Sequence, residues 1–390
     1  MRRFRIFVLG AGFSKPAGLP LGPELWQEIK ARASRGAGRA SKFDRDLDLY
    51  LRYLRDTGRS VGTDDDVDFE GFLGFLDIEH RLGLAGSDTW SEEGNETQII
   101  VKRVIGQIIC ERTPPAEHLP APYYAFAEQL KPGDFVLTFN YDNLLERALE
   151  HVGQSYRLFP DRYSRLHDYH AEVSDEGRDE VVVLKLHGSI DWFDRSRYDE
   201  REAARRKHGL TSPTEDPVFG PNRNLRLVPL TEGPRFPDDE LQTVYRVVEG
   251  IESVYAGPHF LGGTPVLLSP STAKAIYADR FRSFWWGMGR GGGMNLGIGI
   301  IGYSLPHHDE YAGQALFRLL RNYQDSWWDE SFFEGQRKEK VIFIDRRPEG
   351  TERDSLRQRF GFLDEEKTAF RWTGFDSEAV EMIRRGVAST

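Results

Sequence analysis

Apolar and polar positions alternate along this chain in a rhythm that predicts strands followed by helices. The unit at 135–147 shows it most clearly, because a run of strand-forming residues at 135–139 follows a Gly-Asp turn signal. Polar Asn140 and Asp142 come next, and apolar residues from Leu144 onward recur at helical spacing. Both polar residues fit an ordinary helix cap. They also fit a ligand site, because ligands of open α/β sheets bind at the carboxyl ends of the strands.

Five apolar runs in the chain stop at chemically distinct residues. These end residues are Gly10, Asn140, His187, Gly302 and Asp345. In a parallel sheet the carboxyl ends of the strands lie along one edge, so the five residues are predicted to share that edge. Two glycine loops, an amide, an imidazole and a carboxylate at one edge are typical of a dinucleotide site with catalytic groups added.

Two stretches interrupt this pattern. Residues 36–130 open with a glycine-rich linker and continue as mostly helical segments, which predicts a helical insertion. Residues 195–263 begin with a charged helix and continue as Pro- and Gly-punctuated chain, which predicts a second, irregular insertion. We therefore predict an α/β fold, a Rossmann-like parallel sheet with helices on both faces, formed by residues 1–35, 131–194 and 264–390.

The same periodicity gives further local predictions. It predicts a helix that begins near Pro23, a second helix at 277–288 and a third at 311–323. The stretch 154–179 is predicted to be irregular, and the acidic run at 64–66 is predicted to be a solvated loop.

Composition narrows the class of protein. The chain has 390 residues, of which 29% are charged and 39% hydrophobic, as is typical of a globular protein. Its net charge is -10, so no global basic field attracts nucleic acid or acidic lipid, and we expect no direct nucleic-acid binding. No apolar stretch reaches the roughly 18 residues that a membrane span needs, so we expect no membrane association.

The single cysteine, Cys110, excludes an intramolecular disulfide framework and any Cys-x-x-Cys zinc site. Together with the lack of a signal peptide, it favours a reducing cytoplasm. His167 and His170 have a spacing that suits a metal, but no obvious further ligand accompanies them in the sequence. We therefore expect no metal site and no bound zinc.

The loop after the first strand is a further candidate for nucleotide binding. Residues 10–14 read Gly-Ala-Gly-Phe-Ser, and residues 18–20 read Gly-Leu-Pro before a predicted helix. A strand, a glycine turn and a helix let backbone amides approach a diphosphate. The strict Gly-x-Gly-x-x-Gly pattern is not met, because position 15 is Lys, so a simple tight turn stays open as the alternative.

Four motifs of the chain resemble those of sirtuins, in the same order along the sequence. They are Gly-Ala-Gly-Phe-Ser at 10–14, Thr-Phe-Asn-Tyr-Asp at 138–142, Lys-Leu-His-Gly at 185–188 and Gly-Tyr-Ser-Leu at 302–305. They are most similar to bacterial sirtuin-like domains of anti-phage systems, among them the sirtuin-like subunit of HerA-associated systems. Leu-Gly-Pro at 21–23 stands where deacylating sirtuins have Asp-Phe-Arg, and one cysteine cannot form their zinc module. Both departures argue against a protein deacylase.

The resemblance implies hydrolysis of NAD to nicotinamide and ADP-ribose. The leaving nitrogen of NAD is already cationic, so the protein must mainly stabilise an oxocarbenium-like transition state and place a water. The amide of Asn140 is suited to orient that water or a ribose hydroxyl. The imidazole of His187 is suited to accept a proton, because it titrates near neutral pH. A packed, hydrogen-bonded histidine is the alternative for His187.

The resemblance also implies where the rest of NAD binds. The predicted binding residues are Gly10, Ala11, Gly12, Ser14, Pro20, Asp142, Gly188, Gly302, Ser304 and Asp345. The glycine loop is expected to hold the diphosphate, Asp142 the nicotinamide carboxamide, and Gly302 with Ser304 the adenosine half. Asp345 is expected to bind the adenosine ribose, with a strand-end turn residue as the alternative.

The same resemblance implies a biological role. Related domains typically hydrolyse NAD on infection, so we expect an abortive-infection effector of anti-phage defence. Such an enzyme endangers its own cell, and we expect restraint by homo-oligomerisation or by a HerA-type ATPase partner. The alternative is a non-catalytic subunit that binds NAD or ADP-ribose and regulates a companion ATPase or nuclease.

Overall fold

The computed structural model describes most of the chain. The described residues are 4–34, 41–59, 67–84, 94–167, 170–174, 178–221, 224–257, 263–271, 273–291, 294–307, 309–327 and 337–387. The acidic run at 64–66, predicted to be a solvated loop, lies outside these ranges.

The strands are short, and the buried ones are built from β-branched and other apolar residues. They are β1 Arg5–Leu9, β2 Phe135–Thr138, β3 Tyr156–Arg157, β4 Tyr163–Leu166, β5 Ala171–Val173, β6 Val181–Lys185, β7 Trp192–Asp194, β8 Arg226–Pro229, β9 Val244–Glu249, β10 Gly297–Ile301, β11 Val341–Ile344 and β12 Thr368–Arg371.

The helices lie mainly between these strands. They are α1 Ala11–Ser14, α2 Gly22–Ala33, α3 Lys42–Asp56, α4 Phe69–Leu82, α5 Glu96–Arg112, α6 Ala121–Gln129, α7 Leu144–His151, α8 Ser196–Lys207, α9 Ile251–Ala256, α10 Arg282–Trp285, α11 Met288–Gly291, α12 Glu310–Asp325, α13 Thr351–Arg359 and α14 Ser377–Arg385. Within the described ranges, none of the helices has both the length and the apolar surface to cross a bilayer. The helices predicted near Pro23 and at 311–323 are confirmed as α2 and α12.

One parallel sheet forms the centre of the fold. Its seven strands run in the order β12-β11-β10-β1-β2-β6-β3, and every neighbouring pair is parallel. All five residues of β6 and of β10 are buried, so both faces of the sheet are covered there. Strands covered on both faces read as continuous apolar runs, which is why the sequence revealed them. The predicted Rossmann-like α/β fold is confirmed.

Helix α6 packs directly on the sheet. Its Phe126 lies edge-on to Phe7 of β1, with ring centroids 5.3 Å apart, and contacts Phe13 after β1 at 5.7 Å. Helices α7 and α14 pack against α6. The last helix of the stretch 36–130 therefore belongs to the layer that covers the sheet.

The earlier helices of that stretch have an aromatic core. Trp26 of α2 stacks on Phe69 of α4 with centroids 4.7 Å apart, and Phe43 of α3 meets Phe72 edge-on at 5.8 Å. Buried Arg103 of α5 donates to two carbonyl oxygens of the second insertion region, at 2.7 and 3.2 Å. The proposed boundaries of both insertions stay a prediction.

Two local predictions are wrong. The stretch 154–179 contains the antiparallel hairpin β4–β5, whose mixed burial gives no period-two signal. The single helix predicted at 277–288 is instead a series of short turns and the four-residue α10, which ends because Trp286 is extended and Gly287 has a φ of 73°. The second insertion, for which the sequence predicted only an irregular chain, contributes β8 and β9 to an antiparallel sheet with β7.

Candidate functional site

The five strand ends singled out in the sequence lie at one edge of the sheet. Parallel pairing of β6, β2, β1, β10 and β11 places all their carboxyl ends on the same side, as predicted. Thr138 of β2 pairs with Lys185 of β6. Asn140 and His187 each follow two residues after this pair, so the two candidate catalytic residues leave adjacent strands at equivalent positions.

Asn140 joins three predicted site residues in one chain of hydrogen bonds. Its Nδ2 donates to the carbonyl oxygen of Gly10 and to Ser14 Oγ, both at 2.9 Å. Ser14 Oγ donates in turn to Asp142 Oδ2 at 2.7 Å. A carbonyl oxygen can only accept, so the Gly10 contact fixes which end of the Asn140 amide carries the hydrogens.

This chain of hydrogen bonds leaves acceptors for a ligand. Both hydrogens of Asn140 Nδ2 are donated, one to Gly10 O and one to Ser14 Oγ. Asn140 Oδ1 has no donor among the described residues. The buried Oδ1 of Asn143 likewise accepts no hydrogen bond within the described part of the chain. Buried polar atoms without partners are costly, so a bound group that donates hydrogen bonds fits here.

Asp142 has two roles, one for each carboxylate oxygen. Its Oδ1 accepts from the backbone N–H of Leu144 at 3.1 Å, at the start of α7, although the N-cap position of that helix is Asn143 and not Asp142. Its Oδ2 belongs to the Asn140 chain. The buried ammonium of Lys185 donates to the Asp142 carbonyl oxygen and pairs with Glu146 Oε1 at 2.7 Å. Burial raises the pKa of Glu146, and the charge of Lys185 opposes that rise.

The two glycine loops pack backbone against backbone. Gly10 N donates to Ile301 O at 3.0 Å, and Gly12 N donates to Gly302 O at 2.9 Å. A Cβ on Gly302, whose φ is 62°, would lie 2.4 Å from Gly12 C. The glycines are therefore required for this close approach. Since the amides of Gly10 and Gly12 are used within the protein, the predicted diphosphate site depends on the other groups of the loop.

The remaining predicted residues of the glycine loops differ in exposure. Ala11 is exposed at the start of α1, Ser304 is half-buried, and Pro20 is buried. Next to Ser304, Leu305 has a φ of 48°, a left-handed conformation that costs a non-glycine residue roughly 1–3 kcal/mol. Such strain often accompanies ligand-binding loops.

His187 lies in a second cluster, and its environment was not predicted. Its Nε2 is 3.6 Å from Asp309 Oδ1, and the same oxygen forms an ion pair with Lys274 Nζ. The His187 ring meets the ring of Phe139 edge-on at 5.0 Å. Tyr303 donates to Asp309 Oδ2 at 3.3 Å. His187 thus lies beside a carboxylate that is itself ion-paired with Lys274, and the packed, hydrogen-bonded histidine stays open as the alternative.

Asp309 acts on several tyrosines around His187. Burial, and after it the charge of Asp309, raise the pKa of Tyr141, Tyr303 and Tyr311 above the usual value for tyrosine. These phenols therefore stay protonated at neutral pH. The position of Asp309, an acidic residue between a glycine loop and a helix, is a weak sequence signal for a site residue, and no sequence signal marks Lys274.

Gly188 and Asp345 have structural partners. Gly188 has a φ of 81°, and a Cβ on it would lie 2.0 Å from Val266 O, so only glycine fits. Asp345 Oδ1 pairs with Arg347 Nε at 3.1 Å. Burial raises the pKa of Asp345, and the charge of Arg347 opposes the rise. Asp345 lies at the strand end as predicted, but a ribose hydroxyl would have to share it with Arg347.

The candidate catalytic side chains are covered. Asn140 is 9% exposed and His187 is 5% exposed. Phe139 stacks on Tyr303 with centroids 4.1 Å apart, and Trp285 lies edge-on to Tyr311, which contacts the His187 ring. Little of either side chain is therefore open to solvent.

The described residues contain no cluster of metal-ligating side chains. Within the described ranges, no three His, Cys, Asp or Glu side chains lie close enough to hold a metal ion. His167 and His170 stack at 4.3 Å, and His167 Nε2 contacts Glu172 at 3.0 Å. The absence of zinc stays a prediction.

Residues 134–211 match the profile of the SIR2-like domain family. The chain thus carries a sirtuin-like region, which includes Asn140, Asp142, His187 and Gly188. SIR2-like domains bind NAD, so the match indicates an NAD-related activity. The matched stretch is about a fifth of the chain and leaves out the glycine loops at 10–14 and 302–305.

Other comparisons add little. No curated protein matches the chain. A solved structure described as "The Structural basis of Sirtuin Substrate Affinity" is 11% identical, with 98% of this chain and 93% of that chain covered at a TM-score of 0.30. A TM-score this low supports no argument about this chain.

Proposed function

We propose that the chain is an NAD glycohydrolase that cleaves NAD to nicotinamide and ADP-ribose. The observation that carries the proposal is the hydrogen-bonded chain of Asn140, Ser14 and Asp142 at the sheet edge shared with His187. A sirtuin-like region and a parallel sheet with glycine loops at that edge support NAD as the substrate.

In this proposal each residue has a distinct task. Asn140 Oδ1 accepts a hydrogen bond from the attacking water or from a ribose hydroxyl, and the fixed Nδ2 holds the amide in place. His187 accepts the proton that the water or hydroxyl loses. Asp142 recognises the nicotinamide carboxamide through the oxygen that now accepts from Ser14. The cationic nicotinamide leaves without protonation, so the protein needs no strong acid.

We further propose that this activity serves abortive infection in anti-phage defence, and that the resting enzyme is restrained. The covered positions of Asn140 and His187 support restraint, because little of either side chain is open to solvent. Homo-oligomerisation or a HerA-type ATPase partner is the proposed source of control, and the cytoplasm is the proposed location. A chain fully active as an isolated monomer would contradict this part.

The same burial favours one alternative function. A site that stays closed to water would bind NAD or ADP-ribose without turnover and regulate a companion ATPase or nuclease. Calorimetry that finds tight binding of NAD, with no nicotinamide released under any activating condition, would favour this alternative.

The test is an assay of nicotinamide release from NAD by the purified protein. We expect release by the wild-type chain, and losses of about 10²–10⁴-fold in Asn140→Ala and His187→Ala. Glu28→Gln, which alters a half-buried ion pair between α2 and Arg112 of α5, is the matched control and is expected to keep wild-type release. Full activity in both site variants, with folding verified by circular dichroism, would refute the proposal.

A further inference from the structure

We infer that Asp309 and Lys274 control the charge and orientation of the His187 imidazole, and that they are positioning residues for proton transfer at His187. The kinetic part of this inference rests on the proposed hydrolase function. The three side chains come from separate parts of the chain: His187 follows β6, Lys274 begins a 3-10 helix, and Asp309 immediately precedes α12.

The geometry places one carboxylate oxygen between two basic groups. Asp309 Oδ1 is 3.6 Å from His187 Nε2 and is ion-paired with Lys274 Nζ. The exposed fractions are 5% for His187, 3% for Asp309 and 2% for Lys274. Charges this deeply buried interact much more strongly than surface charges, because little water screens them.

Neighbouring groups fix the orientation of this cluster. Tyr303 donates to the other oxygen of Asp309, Oδ2, at 3.3 Å, so Oδ1 is turned toward Lys274 and His187. Phe139 packs edge-on against the imidazole. His187 therefore presents Nε2 to Asp309.

The surrounding ionisable groups do not obscure this coupling. Those that face the cluster among the described residues are Tyr141, Tyr303 and Tyr311, with Glu70 beyond Tyr141. Burial, followed by Asp309, raises the pKa of all three tyrosines, so they stay neutral while His187 changes its charge. Within the described ranges, the charged groups of this cluster are the carboxylate of Asp309 and the ammonium of Lys274.

These two groups act on the imidazole in opposite directions. A nearby carboxylate favours the protonated imidazolium, and a nearby ammonium disfavours it. A catalytic base must be neutral, so activity falls on the acid side as His187 becomes protonated. Loss of the Asp309 charge should therefore extend activity to lower pH, and loss of the Lys274 charge should move the acid limb to higher pH.

The experiment compares pH profiles of kcat/KM for nicotinamide release. We expect the acid limb to move down by about one pH unit in Asp309→Asn and up by a similar amount in Lys274→Met. Lys274→Arg, which keeps the charge, should restore the wild-type limb. Glu146→Gln is the matched control, because it breaks another buried ion pair at the same edge and should leave the limb unmoved.

A second readout does not depend on turnover. The imidazole of His187, assigned by its loss in His187→Gln, is titrated by NMR in the wild type and in the same variants. Opposite displacements in Asp309→Asn and Lys274→Met support the inference. Shifts in one direction, or none, overturn it. If Asp309→Asn does not fold, the comparison of Lys274→Met with Lys274→Arg decides alone.

The two readouts separate the inference from the proposed function. A wild-type chain that releases no nicotinamide, while its His187 titration responds to both variants, refutes the hydrolase and keeps the coupling. Nicotinamide release with an unresponsive His187 titration refutes the coupling alone.

Discussion

At the amino edge of the central sheet, Arg5 pairs with Glu339 at 2.5 Å, whereas at the carboxyl edge Asn140 binds the glycine loop through a neutral amide. Asp134, at the amino edge, accepts from the backbone N–H groups of Arg5 and Lys131 at 2.7 and 2.8 Å. At the amino edge, charged side chains thus connect strands and turns through hydrogen bonds and an ion pair. At the carboxyl edge, the buried ammonium of Lys185 instead holds the backbone of Asp142, beside the Asn140 amide whose Oδ1 has no donor among the described residues.

The cavity at the sheet is not at the edge that carries the candidate catalytic residues. A cavity of about 340 Å³ opens at the amino edge, where it is lined by Phe4, Arg5, Lys131, Asp134, Leu296, Arg337 and Glu339. At the carboxyl edge, Asn140 and His187 are covered. We propose the covered edge as the functional site, because unpaired acceptors and interacting charges indicate chemistry better than cavity volume does. The comparison shows that a covered site is better recognised by buried acceptor atoms that lack a donor than by the volume of a cavity.

The largest expected effect is the difference in stability between two glycine substitutions, one at each edge of the sheet. In Gly302→Ala the new Cβ would lie 2.4 Å from Gly12 C with φ at 62°, so we expect a loss of about 2–4 kcal/mol in the free energy of unfolding. Gly133→Ala, at the amino edge with φ at 93° and open space around it, should cost about 1 kcal/mol. Urea unfolding measures both, and equal losses would contradict the close-approach argument.

A smaller effect tests the hydrogen-bonded chain itself. Ser14→Ala removes the donor to Asp142 Oδ2 and one acceptor of Asn140, so we expect a loss of about 1–3 kcal/mol in stability. Nicotinamide release should fall about tenfold, because the Asn140 amide loses one of its two anchors. Ser14→Thr, which keeps the hydroxyl, is the control. Unchanged release by Ser14→Ala would show that the amide is held in another way.

The smallest effect belongs to the amino edge. Burial raises the pKa of Glu339, and Arg5 opposes the rise, so the charged pair contributes little net stability. Glu339→Gln should cost about 1 kcal/mol and leave nicotinamide release unchanged.

The pH dependence of this variant has a definite sign. Because the folded-state pKa of Glu339 lies above its usual 4.5, the folded wild type retains a proton that the unfolded chain has lost. Wild-type stability therefore falls as pH rises through that window, and the deficit of Glu339→Gln should be smaller at pH 7 than at pH 4. Thermal melting at the two pH values measures it. If Glu339→Gln loses more stability at pH 7 than at pH 4, or loses nicotinamide release, the proposed difference between a structural amino edge and a functional carboxyl edge is wrong.

The sequence predicted the sheet core well, because buried parallel strands leave continuous apolar runs. The strand at 341–344 and the meeting of five strand ends follow from that pattern. β12 and β3 were not predicted, since a four-residue strand with mixed burial and a two-residue strand carry no clear periodicity. The break at Trp286 and Gly287 was missed because a local apolar pattern does not reveal where backbone geometry interrupts a helix.

By itself the sequence determined the parallel sheet, the order of the motifs along it and the residue types at its carboxyl edge. These are set by periodicity and by turn-forming residues, which act over a few positions of the chain. Only the tertiary structure decided which groups meet: Ser14 with Asn140 and Asp142, and His187 with Lys274 and Asp309. Those partners lie tens to more than a hundred residues apart, and folding brings them together through packing that local patterns do not encode.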